Sequence, residues 1–273
     1  MSNANVSLLE KSSATNDNNS DIPLDIVKLP SKGLLYAEEH PFHNVESVEF
    51  KAMGAFEENI LASTALIKKG TAINTLIKSC LMNKLVDPSS LIVGDKSAIL
   101  LAIRISGYGP EYKAKTNCPE CNKQFKHVFN LGNVQYKFLG KEPVNPGSNL
   151  FSFILPGTKR QVTFKLLTDG DDVDVAKTQE NRKKTSNVEV DTTITDRLLS
   201  QIVSIGTITE KDAIAREIRK MSLKDSRPLR EFIHSIEPDL VFEEEVECKF
   251  CGAKEAHPIP LGVEFLWPKL NSK

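Results

Sequence analysis

The sequence has no apolar run approaching the roughly 20 residues that a membrane-crossing helix needs. Residues 1–20 also lack the charged start and apolar centre of a secretory signal. Charge of one sign is not in excess either: 35 basic and 36 acidic residues leave a net charge of −1, which is no basic footprint for nucleic acid. Walker A, GxGxxG, GxSxG and HExxH motifs are all missing. Histidine is sparse, with His40, His43, His127, His234 and His257 scattered along the chain. Pro41 argues against a helix that would bring His40 and His43 onto one metal. What remains is an ordinary globular composition over 273 residues, enough for one large or two modest cores.

Cysteine is scarce too, but four of the five are arranged. Cys118-Pro-Glu-Cys121 and Cys248-Lys-Phe-Cys251 are two CxxC knuckles, each followed by five residues, a histidine, three residues and Leu-Gly (Leu131-Gly132, Leu261-Gly262). Neither knuckle completes a metal site by itself, whereas together they supply four thiolates for a tetrahedral structural Zn2+. A redox dithiol would open a helix after a strand; Cys118 and Cys248 instead each end a strand and enter a turn. Four thiolates leave no open position for a catalytic water. His127 and His257 share strand faces with apolar residues, so packing suits them better than ligation. Cys80, at helical spacing from Ile73, Leu76 and Ile77, reads as a small buried hydrophobe, and a reducing cytoplasm suits such thiols.

The approaches to the knuckles alternate as strands do. Tyr112, Ala114 and Thr116 interleave with Lys113 and Lys115; Phe242, Glu244 and Val246 interleave with Glu243, Glu245 and Glu247. One arm therefore carries a basic outer row and the other an acidic one, and this complementarity favours pairing the two arms as a split zinc ribbon.

Along the chain, residues 1–20 are Ser/Asn/Asp-rich and read as a disordered arm. Ile22 to Tyr36 is a proline-spaced apolar strip with a Ser-Lys-Gly turn that wraps over a core. A strand is expected at 46–53. Helical period follows from Ala55 to Gly70, with Phe56, Ile60 and Ile67 on one face, and again from Thr71 to Met82. A third helix, capped by Asp95 and apolar nearly all round, is the central one; its single charge, Arg104, calls for a structural ion pair. Val134 to Pro146 is a connector, and 149–156 with 160–167 a hairpin. The acidic Asp169–Asp172 run caps a polar helix rather than forming a calcium loop. Helices are expected at Thr193–Ile205, Glu210–Met221 and Asp225–Ile236, the last with Pro228 in its first turn. The fold class is α+β: a helical core (21–110), a split zinc-ribbon-like element (111–132 and 239–268) and a mixed hairpin-plus-helices insertion (133–238).

The strip LPSKGLLY at 29–36, the helix GDKSAILLAIRISGYG at 94–109, the CPEC knuckle and the C-terminal CxxC followed by FLWP together resemble the baseplate hub and baseplate assembly proteins of T4-type contractile-tailed bacteriophages. The resemblance covers most of residues 22–268. It implies a non-enzymatic protein of tail morphogenesis, found in the virion baseplate or in the host cytoplasm during assembly. Its implied partners are other baseplate or hub proteins, a homo-oligomer being left open, with Leu34 to Tyr36 and Trp267 as candidate contacts. A zinc ribbon that binds nucleic acid, and a hydrolase working through Asp171 or His127, are the competing readings.

Overall fold

A computed structural model describes residues 10–11, 24–185 and 191–267. The fold is mixed α+β, with helices set among small antiparallel sheets. Of the arm at 1–20 only Glu10–Lys11 falls within the described residues. That pair forms β1 and lies beside β2 (Leu24–Lys28), which in turn pairs with β3 (Ser47–Lys51). Val48 and Phe50 point into the core while Ser47 and Glu49 point out, the period of two that the sequence shows.

The helical stretch after Ala55 is not continuous. It divides at Ser63 into α1 (Ala55–Ala62) and α2 (Thr64–Lys69), because the Ser63 side chain accepts the Leu66 N–H and restarts the helix as an N-cap. Phe56 and Ile67 consequently do not share an inward face; they are 66% and 48% exposed. Next, α3 (Ala72–Cys80) buries Leu76, Ile77 and Cys80, and Asp87-Pro88 starts a short 3-10 turn.

At the centre lies α4 (Val93–Tyr108), buried on nearly every side. Its N-terminus comes so close to the Pro238 backbone that any side chain at Gly94 would collide with the Pro238 carbonyl. Asp95 is not the cap. It sits inside the first turn, fully buried, where Oδ1 accepts the Ser31 N–H at 2.9 Å. Its Oδ2 accepts the Ser31 and Tyr36 hydroxyls at 2.5 and 2.7 Å. Burial pushes the Asp95 carboxyl up, while these donors and the helix dipole oppose the shift. Tyr36 also accepts the Ile92 N–H, so the 29–36 strip is tied to the helix through a buried polar knot. Leu35 and Tyr36 belong to the chain's own core.

Arg104 is buried as expected, but among the described residues it has no carboxylate partner. Its guanidinium donates to the carbonyls of Phe265 at 2.6 Å, Gly109 at 2.9 Å and Glu111 at 3.3 Å. Carbonyl dipoles replace a counter-charge, and one side chain joins the end of α4 to the strand that follows and to the C-terminal region.

Beyond α4 come β4 (Glu111–Asn117), β5 (Gln124–Asn130) and β6 (Gln135–Lys137), the last lying in the stretch read as a connector. The hairpin β7 (Phe151–Ile154) and β8 (Gln161–Phe164) forms where expected. The acidic run caps α5 (Asp169–Thr185) reciprocally: Asp171 N–H donates to Thr168 Oγ1, and Thr168 N–H to Asp171 Oδ2. The predicted helix through Ile205 stops at Gln201. Residues α6 (Thr193–Gln201) are followed by β9 (Ile202–Ile205), which adds a third strand to the β7–β8 hairpin.

After α7 (Lys211–Lys220), α8 (Leu223–Ile236) begins two residues earlier than expected, so Pro228 lies inside the helix rather than in its first turn. Asp225 does not cap it; it accepts the Gly157 N–H across the fold. The chain then forms β10 (Asp239–Val241), antiparallel to β6, followed by β11 (Glu243–Glu247), β12 (Lys254–Pro258) and α9 (Val263–Leu266). Trp267 packs on the chain's own core and donates its indole N–H to the Leu61 carbonyl.

Replacing Asp95 by Ala strands the Ser31 N–H and two hydroxyls in the core. It is expected to cost about 3–5 kcal/mol by urea denaturation, against about 1–2 kcal/mol for Tyr36→Phe. Equal and small losses would mean that the knot does not hold the strip.

Candidate metal centre

Each knuckle is the turn of a hairpin, and the two turns are built alike. In the first, the Cys118 N–H donates to the Lys123 carbonyl and the Asn122 N–H to the Cys118 carbonyl. In the second, the Cys248 N–H donates to the Ala253 carbonyl and the Gly252 N–H to the Cys248 carbonyl. The residue after the second cysteine is left-handed in both, Asn122 at φ 55° and Gly252 at φ 74°. Asn and Gly are the residues that tolerate this region best. The turns thereby aim both cysteines of each knuckle to one side.

The hairpins meet through their inner faces. Thr116 Oγ1 lies 3.1 Å from His257 Nδ1, and Tyr112 donates its hydroxyl to the Pro260 carbonyl at 2.8 Å. Glu244 lies 3.3 Å from His127 Nε2 and accepts the Asn130 N–H at 2.8 Å. This packing brings the four sulfurs together. Cys118 and Cys251 stand 3.6 Å apart, Cys121 and Cys248 stand 3.8 Å apart, and all four sulfurs lie within 4.8 Å of one another. These separations are longer than the roughly 2.05 Å of a disulfide, and all four cysteines are free. Four sulfurs about 2.3 Å from one zinc ion would stand about 3.8 Å from each other, so the close pairs match the edges of that tetrahedron. The set can hold a metal ion.

Cys118 and Cys248 are buried, Cys121 is half-buried and Cys251 is exposed. The Phe250 N–H points at the Cys248 sulfur at 3.4 Å and leads the effects that lower this thiol to about 6. Neither histidine joins the cluster: His257 is buried against Thr116 and Phe125, and His127 faces Glu244. Cys80 is buried elsewhere, its thiol pushed up to about 12 by desolvation.

The expected pairing of basic with acidic strands does not occur. β4 pairs with β5 and β11 with β12, each arm with itself. Lys113 and Lys115 on one arm, and Glu243, Glu245 and Glu247 on the other, are exposed. The reason is the pleat: residues that alternate with the inward Tyr112, Ala114, Thr116 and Val246 must face away from the junction.

Missed by the sequence reading was the β6–β10 ladder, which joins the chain just after the first hairpin to the chain just before the second. The alternation in Gln135-Tyr136-Lys137-Phe138 was its only local sign. Asp171 and His127, the residues of the hydrolase reading, have separate partners. Asp171 is engaged by Lys165 and Thr168, and His127 by Glu244. His40 contacts Ser90, and His43 the Tyr36 carbonyl. No helix among the described residues is long and apolar enough to cross a membrane.

The turn geometry is testable. An added Cβ at Gly252 meets nothing within 4 Å, so Gly252→Val tests backbone conformation rather than space. It should cost about 1–2 kcal/mol by urea denaturation, whereas Asn122→Gly should stay within about 1 kcal/mol of the parent. A neutral Gly252→Val would show that the left-handed turn is not needed.

No curated protein and no solved structure matches the chain. The model of the family described as T4 bacteriophage base plate protein matches residues 26–267, which spans both knuckles, the buried strip and the central helix. The chain belongs to the T4 bacteriophage base plate protein family.

Proposed function

We propose that this protein is a non-enzymatic structural or assembly component of the phage baseplate hub, stabilised by one structural Zn2+ on Cys118, Cys121, Cys248 and Cys251. The observation that carries the metal is the convergence of four sulfurs from two like knuckles. The family match supports the place in the tail. A four-thiolate site is closed and holds zinc as a brace, with no position for substrate or catalytic water. Bound there, the ion supplies cross-linking only, while the hairpin turns orient the sulfurs and the Phe250 N–H stabilises the charge on Cys248. The zinc-ribbon-like module so formed presents a basic row on one side and an acidic row on the other. A surface of both signs suits contact with other baseplate proteins better than a nucleic-acid groove, which would be basic throughout.

Structural zinc sites contribute on the order of 10 kcal/mol to the fold that contains them. Cys118→Ser should therefore lower the zinc content from one equivalent toward none and abolish baseplate assembly in a complementation assay. Zinc-free purified protein, together with full assembly by the Cys118→Ser phage, would overturn the proposal.

A further inference from the structure

Away from the cysteines, α1, α2 and α3, with the end of β3 and the loop after α3, line an open groove of about 890 Å3. Its floor and walls are apolar, with Phe56, Ile60, Leu66 and Met82 among them. Phe56, in α1, is 66% exposed, and Met82, in the bend after α3, is 45% exposed. α2 forms one wall and has no buried residue, so this wall has a side without a partner. Large apolar side chains gathered in a concave site are the usual mark of a docking surface.

The charges around the groove are mostly of one sign. Its ionisable lining is Lys51, Lys78, Lys84 and Asp87. Lys51 is matched by Glu57, which is itself buried beneath it. Asp87 is held anionic by the Ser89 N–H and hydroxyl and offsets part of the charge of Lys78, leaving the lining net basic. Lys84 covers the last carbonyls of α3, and α2 ends on Lys68 and Lys69. An occupant must therefore supply large apolar anchors with negative charge beside them.

We infer that this groove receives an acidic amphipathic helix of a partner protein, its Leu or Phe anchors seated against Phe56 and Met82 and its carboxylates facing Lys78 and Lys84. An apolar stripe at helical spacing fits such a groove, and acidic flanks select for this rim. The inference does not depend on zinc or on the protein's place in the tail, because the groove shares no residue with the cysteine cluster.

The test is a fluorescence-anisotropy titration of the full chain. The probe is a labelled synthetic helix of about four turns with Leu and Phe on one face and Glu elsewhere, and the control is the same peptide with Lys in place of Glu. The acidic peptide should bind saturably and more weakly as salt rises, and the basic one should not. The double variant Phe56→Ala/Met82→Ala should weaken binding by at least about tenfold, as hot-spot truncations do. Both side chains are substantially exposed, so its melting curve should match the parent's. Lys78→Glu, at an exposed rim position, should lower affinity without touching the floor. Binding of both peptides alike, unchanged affinity in the variants, or no saturable binding would overturn the inference. So would concentration-dependent dimerisation abolished by the double variant, since it would assign the groove to a second copy.

Discussion

Everything in the ribbon-like part of this protein depends on bringing together two short turns that are 127 to 133 residues apart in the chain. Closing a loop of that size costs about 4 kcal/mol in chain entropy on the logarithmic scaling of loop closure. The hairpins meet through hydrogen bonds, each worth about 1 kcal/mol net, and through buried contacts such as Phe125 against His257 and Phe250. The β6–β10 ladder, beside both hairpins, shares in closing the loop. A metal ion on four thiolates is worth on the order of 10 kcal/mol. In the zinc-bound protein proposed above, the ion would hold the two turns together, while the polar contacts align the hairpins.

A second constraint acts along the central helix. α4 carries two buried ionisable groups, and each serves a distant part of the chain. Asp95 gathers Ser31 and Tyr36 from the strip before the helices. Arg104 gathers carbonyls from Gly109, Glu111 and Phe265. Gly94 allows the approach to β10 to run directly against the same helix. Segments from both ends of the chain thus meet on one element, which places the knuckle hairpins at its C-terminal end through β4.

Much of this was legible in the sequence. The CxxC spacing and the matched flanks of the knuckles are sequence facts, and they suffice to suggest that four sulfurs act together. The alternation of Tyr112, Ala114 and Thr116 with lysines shows the strand β4 and its inner face, but not its pairing with β5. That same alternation also turns the charged rows away from the junction, so opposite charge on the two arms does not pair them. The sequence around Arg104 suggests a carboxylate partner, since nothing local reveals that three carbonyls from separate segments converge on it. The helix break at Ser63 and the change from helix to strand at Ile202 are tertiary outcomes. In the first a side-chain cap outcompetes an unbroken apolar period; in the second Ile202 and Ile205 gain burial beside Val162 and Phe164 that a further helical turn would not give. The β6–β10 ladder is three residues long on each side, too short for a pattern to identify against a background of loops.

The central claim is that one ion joins sulfurs from both knuckles, and zinc-edge X-ray absorption on the purified protein reads it most directly. The account predicts a single first shell of four sulfur atoms at about 2.3 Å. A shell containing nitrogen or oxygen, or fewer than four sulfurs per zinc, would contradict it.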